Sequence, residues 1–131
     1  MSTSGSQGVV LVVEDDPTAR EFYRSVLRQA GLSVVSVEDG LAALHVIEAR
    51  PPQVVVLDLA LPRVSGRDVY REFKARPETR GIPIVVVTGH DVSDLDEADF
   101  AGVLHKPLDP NDLISAVRGC LPRAGRPFEP T

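Results

Sequence analysis

Five polar residues stand where short apolar runs end, and their types are those used in phosphoryl chemistry. Glu14 and Asp15 follow the run Val9–Val13, Asp58 follows Val54–Leu57, Thr88 follows Ile82–Val87, and Lys106 closes the run Gly102–Leu104 with only His105 between. Three carboxylates brought together repel one another and raise one another's pKa values unless a cation sits among them. Oxygen donors with no Cys or His cluster beside them favour Mg²⁺, which keeps several waters and commonly bridges carboxylate to phosphate. A carboxylate is a competent phosphoryl nucleophile, and a hydroxyl with an ammonium can hold the remaining phosphoryl oxygens.

For these residues to meet, the runs must be neighbouring strands with a common polarity. The runs Val9–Val13, Leu32–Val37, Val54–Leu57, Ile82–Val87 and Gly102–Leu104 are mostly rich in Val and Ile and nearly continuous, as strands buried on both faces are. Helical patterns lie between them. Phe22, Tyr23, Val26, Leu27 and Ala30 repeat at helical spacing after an Asp16–Pro17 start, and Gly31 suits the stop. Asp39 can cap a second helix carrying Leu41, Leu44 and Ile47. A third carries Tyr70 and Phe73, and Asp109–Pro110 starts the last. A fourth, over Asp91–Phe100, is acidic with few apolar anchors and reads as short or frayed. Strands alternating with helices predict an α/β fold with right-handed crossovers and a five-stranded parallel sheet covered on both sides; taken as a flavodoxin-like doubly wound (βα)5 with strand order 2-1-3-4-5, it makes strands one and three neighbours. Binding sites in such sheets form beyond the carboxyl ends of the strands, where the order reverses, and that rim is where the polar residues fall.

The stretches VVEDDP at Val12–Pro17, LDLALPRVSG at Leu57–Gly66, VVVTG at Val85–Gly89 and HKPLDPNDL at His105–Leu113 occur in this order, each at a strand end. Together they give the chain a resemblance to a response-regulator receiver domain of the CheY-like, two-component signalling family, across roughly Val9 to Leu121. The resemblance implies Asp58 as phosphoacceptor and Glu14 with Asp15 as the Mg²⁺-binding acidic pair. It also implies the Ala60 backbone carbonyl as a metal ligand, Thr88 as the switch hydroxyl, Lys106 as the phosphate contact, and a cis peptide before Pro107. The phosphoryl donor would be a histidine kinase or a histidine phosphotransfer protein. The readout would be altered binding of an unknown protein target, and the only catalysis would be the domain's own phosphorylation and slow dephosphorylation.

Other readings of the same residues stand beside these. Asp58 could close a strand and no more, Glu14–Asp15 could be a solvated loop pair, Thr88 a strand residue and Lys106 a surface lysine. Asp16 reads as the cap of the first helix and is not assigned to the metal. Gly66 reads as a close backbone approach or a special conformation at the start of the third helix. His45 and His105 have no ligand spacing, and His90 falls evenly between lining the mouth of the site and lying outside it. The sharpest rival function is a haloacid-dehalogenase-like phosphatase, which uses an aspartyl nucleophile, Mg²⁺, a hydroxyl and a lysine. It also needs a second acid two residues after the nucleophile, where this chain has Ala60. A nucleotide-binding module is weaker, because neither glycine-rich phosphate loop occurs. A receiver fold kept only as a binding scaffold is a third reading.

The 131 residues suit one domain, and 43% hydrophobic with 25% charged residues is an ordinary globular balance. A net charge of −5 gives no bulk footprint for direct nucleic-acid binding. No apolar run is long enough to span a membrane and the start does not read as a signal peptide, so the expectation is a cytoplasmic, stand-alone regulator. Cys120, the single cysteine, fits a reducing compartment. Residues 1–8 read as a flexible N-terminus, 9–122 as the receiver domain, and 123–131 as a flexible tail or the start of a linker. Two departures from the family fall on the output side. Val103 stands where an aromatic is usual, three residues before the lysine, and the stretch between Thr88 and Lys106 is about one helical turn short. With these departures the segment Gly89–Gly102 is expected to carry the response and Val103 to be passive.

Overall fold

The computed structural model describes residues 9–60, 66–89 and 100–121. The elements run β1 (Val9–Val13), α1 (Pro17–Gln29), β2 (Ser33–Val37), α2 (Gly40–Ala49), β3 (Val54–Asp58), α3 (Gly66–Ala75), β4 (Ile84–Thr88), β5 (Gly102–His105) and α4 (Pro110–Arg118). All strand pairings are parallel, and the sheet order is β2-β1-β3-β4-β5. That is the expected order, with the reversal falling between β1 and β3. The expected helix over Asp91–Phe100 lies outside the described residues except for Phe100.

Alternation within the central strands sorts the core into two layers. Leu11 and Val13, Val55 and Leu57, and Ile84 and Val86 pack with Ala43 and Ile47 of α2 and Val69 and Phe73 of α3. Val10 and Val12, Val54 and Val56, and Val85 and Val87 pack with Tyr23 and Leu27 of α1 and Leu113 and Val117 of α4. Helices therefore cover both faces, and the three central strands are buried throughout apart from the half-buried Val9.

The sequence reading differs from the structure at the edges. β2 begins at Ser33, not Leu32, and its residues are exposed or half-buried, none fully buried. β4 begins at Ile84, not Ile82. An edge strand has one open side and thinner cover, so continuous burial holds only for the inner strands. Phe22 and Leu41, both placed on apolar helix faces, are 41% and 56% exposed. α1 needs only the stripe through Tyr23 and Leu27 to reach the sheet, and Phe22 lies about 100° round from Tyr23. Caps follow the sequence closely. Asp16 accepts a hydrogen bond from the Ala19 N–H at 2.9 Å, and Asp39 accepts one from the Ala42 N–H at 2.8 Å. Asp109 accepts from the Asn111 N–H at 2.7 Å, and Gly31 takes φ +93° after α1.

Candidate functional site

The register that builds the sheet also gathers the polar rim. Val13 pairs with Leu57, so the next step along the strands sets Glu14 beside Asp58. The ladder continues past the strand ends, with the Glu14 N–H on the Val37 carbonyl at 3.1 Å and the Lys106 N–H on the Thr88 carbonyl at 2.9 Å. Glu14, Asp58 and Lys106 prolong the rows Val10–Val12, Val54–Val56 and Leu104, all on the side of α1 and α4. Thr88 prolongs Ile84–Val86 on the opposite side. Parity thus puts three of the charged residues together on one side and Thr88 on the other face of the sheet, at the same strand-end level.

Carboxylate oxygens of Glu14, Asp15 and Asp58 lie within 4.8 Å of one another. Glu14 and Asp58 are buried, at 1% and 3% exposure, while Asp15 is exposed. The Lys106 ammonium reaches both buried acids, at 3.1 Å from Asp58 Oδ2 and 3.3 Å from Glu14 Oε1. The other Asp58 oxygen, Oδ1, accepts the Ala60 N–H at 2.9 Å. Thr88 is buried at the end of β4, paired in register with His105. The Lys106–Pro107 peptide is cis.

Charge is unbalanced in this cluster, with three carboxylates facing one ammonium. Burial pushes the Glu14 carboxyl up to about 7; the Asp16 N–H on its Oε2, at 3.1 Å, opposes that and the Asp58 charge adds to it. Burial works to lower the Lys106 pKa, but the Asp58 hydrogen bond and the charges of Asp58 and Glu14 outweigh it, and the net shift is upward. Burial raises the Tyr23 phenol beneath the site. Glu14 Oε1 makes no hydrogen bond of good geometry although it is shielded from water. A buried carboxylate oxygen with an ion pair to Lys106 but no hydrogen bond, beside two further acids, suits a hard divalent cation, so these residues fit Mg²⁺.

Two further residues shape the site. A Cβ on Gly66 would stand 2.9 Å from the Leu59 carbonyl carbon and closer still to the Asp58 carbonyl oxygen and Leu59 Cα, so only glycine lets α3 start this close to Asp58. Arg20, which the sequence reading passed over, donates from one guanidinium nitrogen to the Glu14 and Asp15 carbonyls, at 3.0 and 3.3 Å. The one sequence signal was a basic residue near the start of a helix whose first turn holds no acid, against the usual dipole preference. His90 lies outside the described residues. Val103 is half-buried against the layer that includes Tyr70 and Phe100, whose rings meet edge-on at 4.9 Å.

The family model for the response regulator receiver domain matches residues 10–118. The chain belongs to that family. Protein Rrf1 of Nitratidesulfovibrio vulgaris is 34% identical over 108 residues, covering 82% of this chain and 78% of that protein. The DNA-binding response regulator MtrA of Mycolicibacterium smegmatis is 36% identical over 118 residues, covering 87% of this chain and 50% of its own length. This receiver thus spans about half of MtrA, and likewise about half of the sensory transduction protein RegX3 of Mycobacterium tuberculosis, at 52%. Among solved structures, the CheY-like receiver domain from Methylobacillus flagellatus has TM-score 0.78 at 29% identity, covering 88% of this chain and 100% of that one. The chemotaxis response regulator CheY4 of Vibrio cholerae shares the fold, with TM-score 0.80 at 24% identity over 88% of this chain and 99% of that one. Receiver domains of this family work in two-component signalling, pair with histidine kinases or phosphotransfer proteins, and generally bind Mg²⁺ at an acidic cluster.

Proposed function

We propose that this receiver accepts a phosphoryl group on Asp58 and that the modified state switches binding of a protein target. The observation that carries the proposal is the buried Asp58 carboxylate, held between the Lys106 ammonium and the Ala60 N–H, with Glu14 and Asp15 oxygens within 4.8 Å. A histidine kinase or histidine phosphotransfer protein is the proposed donor. An Asp58 oxygen attacks phosphorus, the new O–P bond forms as the P–N bond breaks, and the donor imidazole leaves with the electron pair. Glu14, Asp15, Asp58 and the Ala60 carbonyl would hold Mg²⁺, which supplies neutralisation of the phosphoryl oxygens when bound. Lys106, already paired with Asp58, would turn to a phosphoryl oxygen, and Thr88 would offer its hydroxyl to another.

Ala60 has no side chain able to activate water, so the acyl phosphate is proposed to be long-lived and the domain to be a switch, not a turnover enzyme. Among the described residues no helix is long and apolar enough to cross a membrane. The proposed donors place the domain in the cytoplasm. The DNA binding named for MtrA belongs to that longer protein; the net charge of −5 supports no such role for this chain.

Incubation with acetyl phosphate and Mg²⁺ tests the proposal by intact mass. One added phosphoryl group per chain, lost with EDTA or with Asp58→Asn, is expected. Labelling of the Asn variant to the wild-type extent would overturn the assignment.

A further inference from the structure

We infer that Arg20 is a positioning residue for the metal site, fixing the Glu14–Asp15 turn so that both carboxylates face the acceptor; the inference rests on the phosphoryl-accepting reading above. β1 ends at Val13, and beyond it the chain must turn to start α1 at Pro17. The turn is anchored at its edges by the Glu14 N–H on Val37 and by the Asp16 N–H on Glu14 Oε2. The carbonyls of Glu14 and Asp15 both accept from the Arg20 guanidinium, one turn along α1. Asp15 depends on this most. It is exposed, and among the described residues its carboxylate has no hydrogen bond or ion pair, so its place is set by its main chain alone.

The charge of Arg20 argues that its role is geometric. A cation beside a divalent-metal site repels the metal, and a cation near a helix N-terminus opposes the helix dipole. Two electrostatic costs are therefore accepted at one residue, and what it gives back is two charge-assisted hydrogen bonds to the turn that presents the ligands. Groups that orient metal ligands are commonly worth about ten- to a hundredfold in metal affinity.

The test is a Mg²⁺ titration of the full chain followed by amide NMR shifts at residues 14, 15 and 58, with urea unfolding of the metal-free protein alongside. Arg20→Gln removes the charge and the paired bonds. Geometry predicts Mg²⁺ binding weaker by about tenfold, whereas a purely electrostatic role predicts tighter binding because a repelling charge has gone. A merely structural role would lower the unfolding midpoint and leave the affinity of the folded protein alone. Unchanged or tighter Mg²⁺ binding therefore overturns the inference. Should Arg20→Gln not fold, Arg20→Lys keeps the charge with a shorter reach, and the same weakening is expected; wild-type affinity there overturns it too. A wild-type chain with no saturable Mg²⁺ response at residues 14, 15 and 58 would refute the site reading itself, while wild-type binding retained by the variants refutes the inference alone.

Discussion

Replacing Gly66 with alanine adds one methyl group where the main chain leaves no room for it. Its nearest neighbours would be the Asp58 carbonyl oxygen, Leu59 Cα and the Leu59 carbonyl carbon, the last at 2.9 Å. All are backbone atoms at the buried end of β3, so no flexible side chain can swing aside. The Gly66 N–H also bonds the Leu59 carbonyl at 3.2 Å, tying the two segments together. On helix propensity alone, glycine to alanine gains up to about 1 kcal/mol. Overpacking against a well-packed core costs roughly 1–3 kcal/mol. The clash is with main chain, which puts the cost at the upper end of that range, so a net loss of about 1–2 kcal/mol is expected. The displaced backbone carries Asp58, so phosphorylation by acetyl phosphate should slow as well. Gly81→Ala is the control: nothing lies within 4 Å of its added Cβ, and a change within about 0.5 kcal/mol is expected. Urea unfolding of both variants, with labelling followed by intact mass, gives the two readouts. Gly66→Ala as stable as the wild type and labelled as fast would show that the close approach at α3 is not what positions Asp58.

Three other outcomes follow from the site. Glu14 binds its proton at about 7 in the fold against 4.5 ordinarily, so the folded state holds more protons between those values. The metal-free protein should therefore gain stability as pH falls from about 7 towards 4.5, by at most about 3 kcal/mol. Glu14→Gln should flatten that part of the urea-midpoint profile, and a profile unchanged by the substitution would contradict the assignment. Asp15→Asn should weaken Mg²⁺ binding far more than Asp16→Asn, because Asp16 is engaged on the Ala19 N–H and asparagine caps about as well as aspartate; equal losses in an NMR titration would mean that the acidic cluster is divided wrongly. With Ala60 two residues after Asp58, steady hydrolysis of a phosphomonoester should be negligible, and repeated rapid turnovers in a colorimetric assay would favour a phosphatase instead.

Much of this was readable in the sequence because parallel sheets make it so. Inner strands buried on both faces must be apolar throughout, and Val54–Leu57 and Val85–Val87 could be little else. Their first polar residues, Asp58 and Thr88, then mark the rim. Asp16 was separable from its acidic neighbours because Pro17 fixes where the helix begins. Other features depend on geometry that residue types do not encode. Phe22 satisfies the helical period yet lies beside the stripe that reaches the sheet, a matter of the angle at which α1 docks. Arg20 acts on backbone carbonyls, which every residue has, so no spacing rule announces it. The upward shift of Glu14 comes from burial at the end of β1, which its residue type does not encode.

If the Asp58 carboxylate is the acceptor, as proposed, the chemistry of its acyl phosphate allows it to be read at that residue. Borohydride reduces an aspartyl phosphate to homoserine, after which peptide mass mapping locates the change. Treatment of the phosphorylated chain is predicted to convert residue 58, and no other aspartate, in proportion to the label present. Homoserine at Asp15 or Asp16, or a stable label that borohydride leaves untouched, would contradict the account.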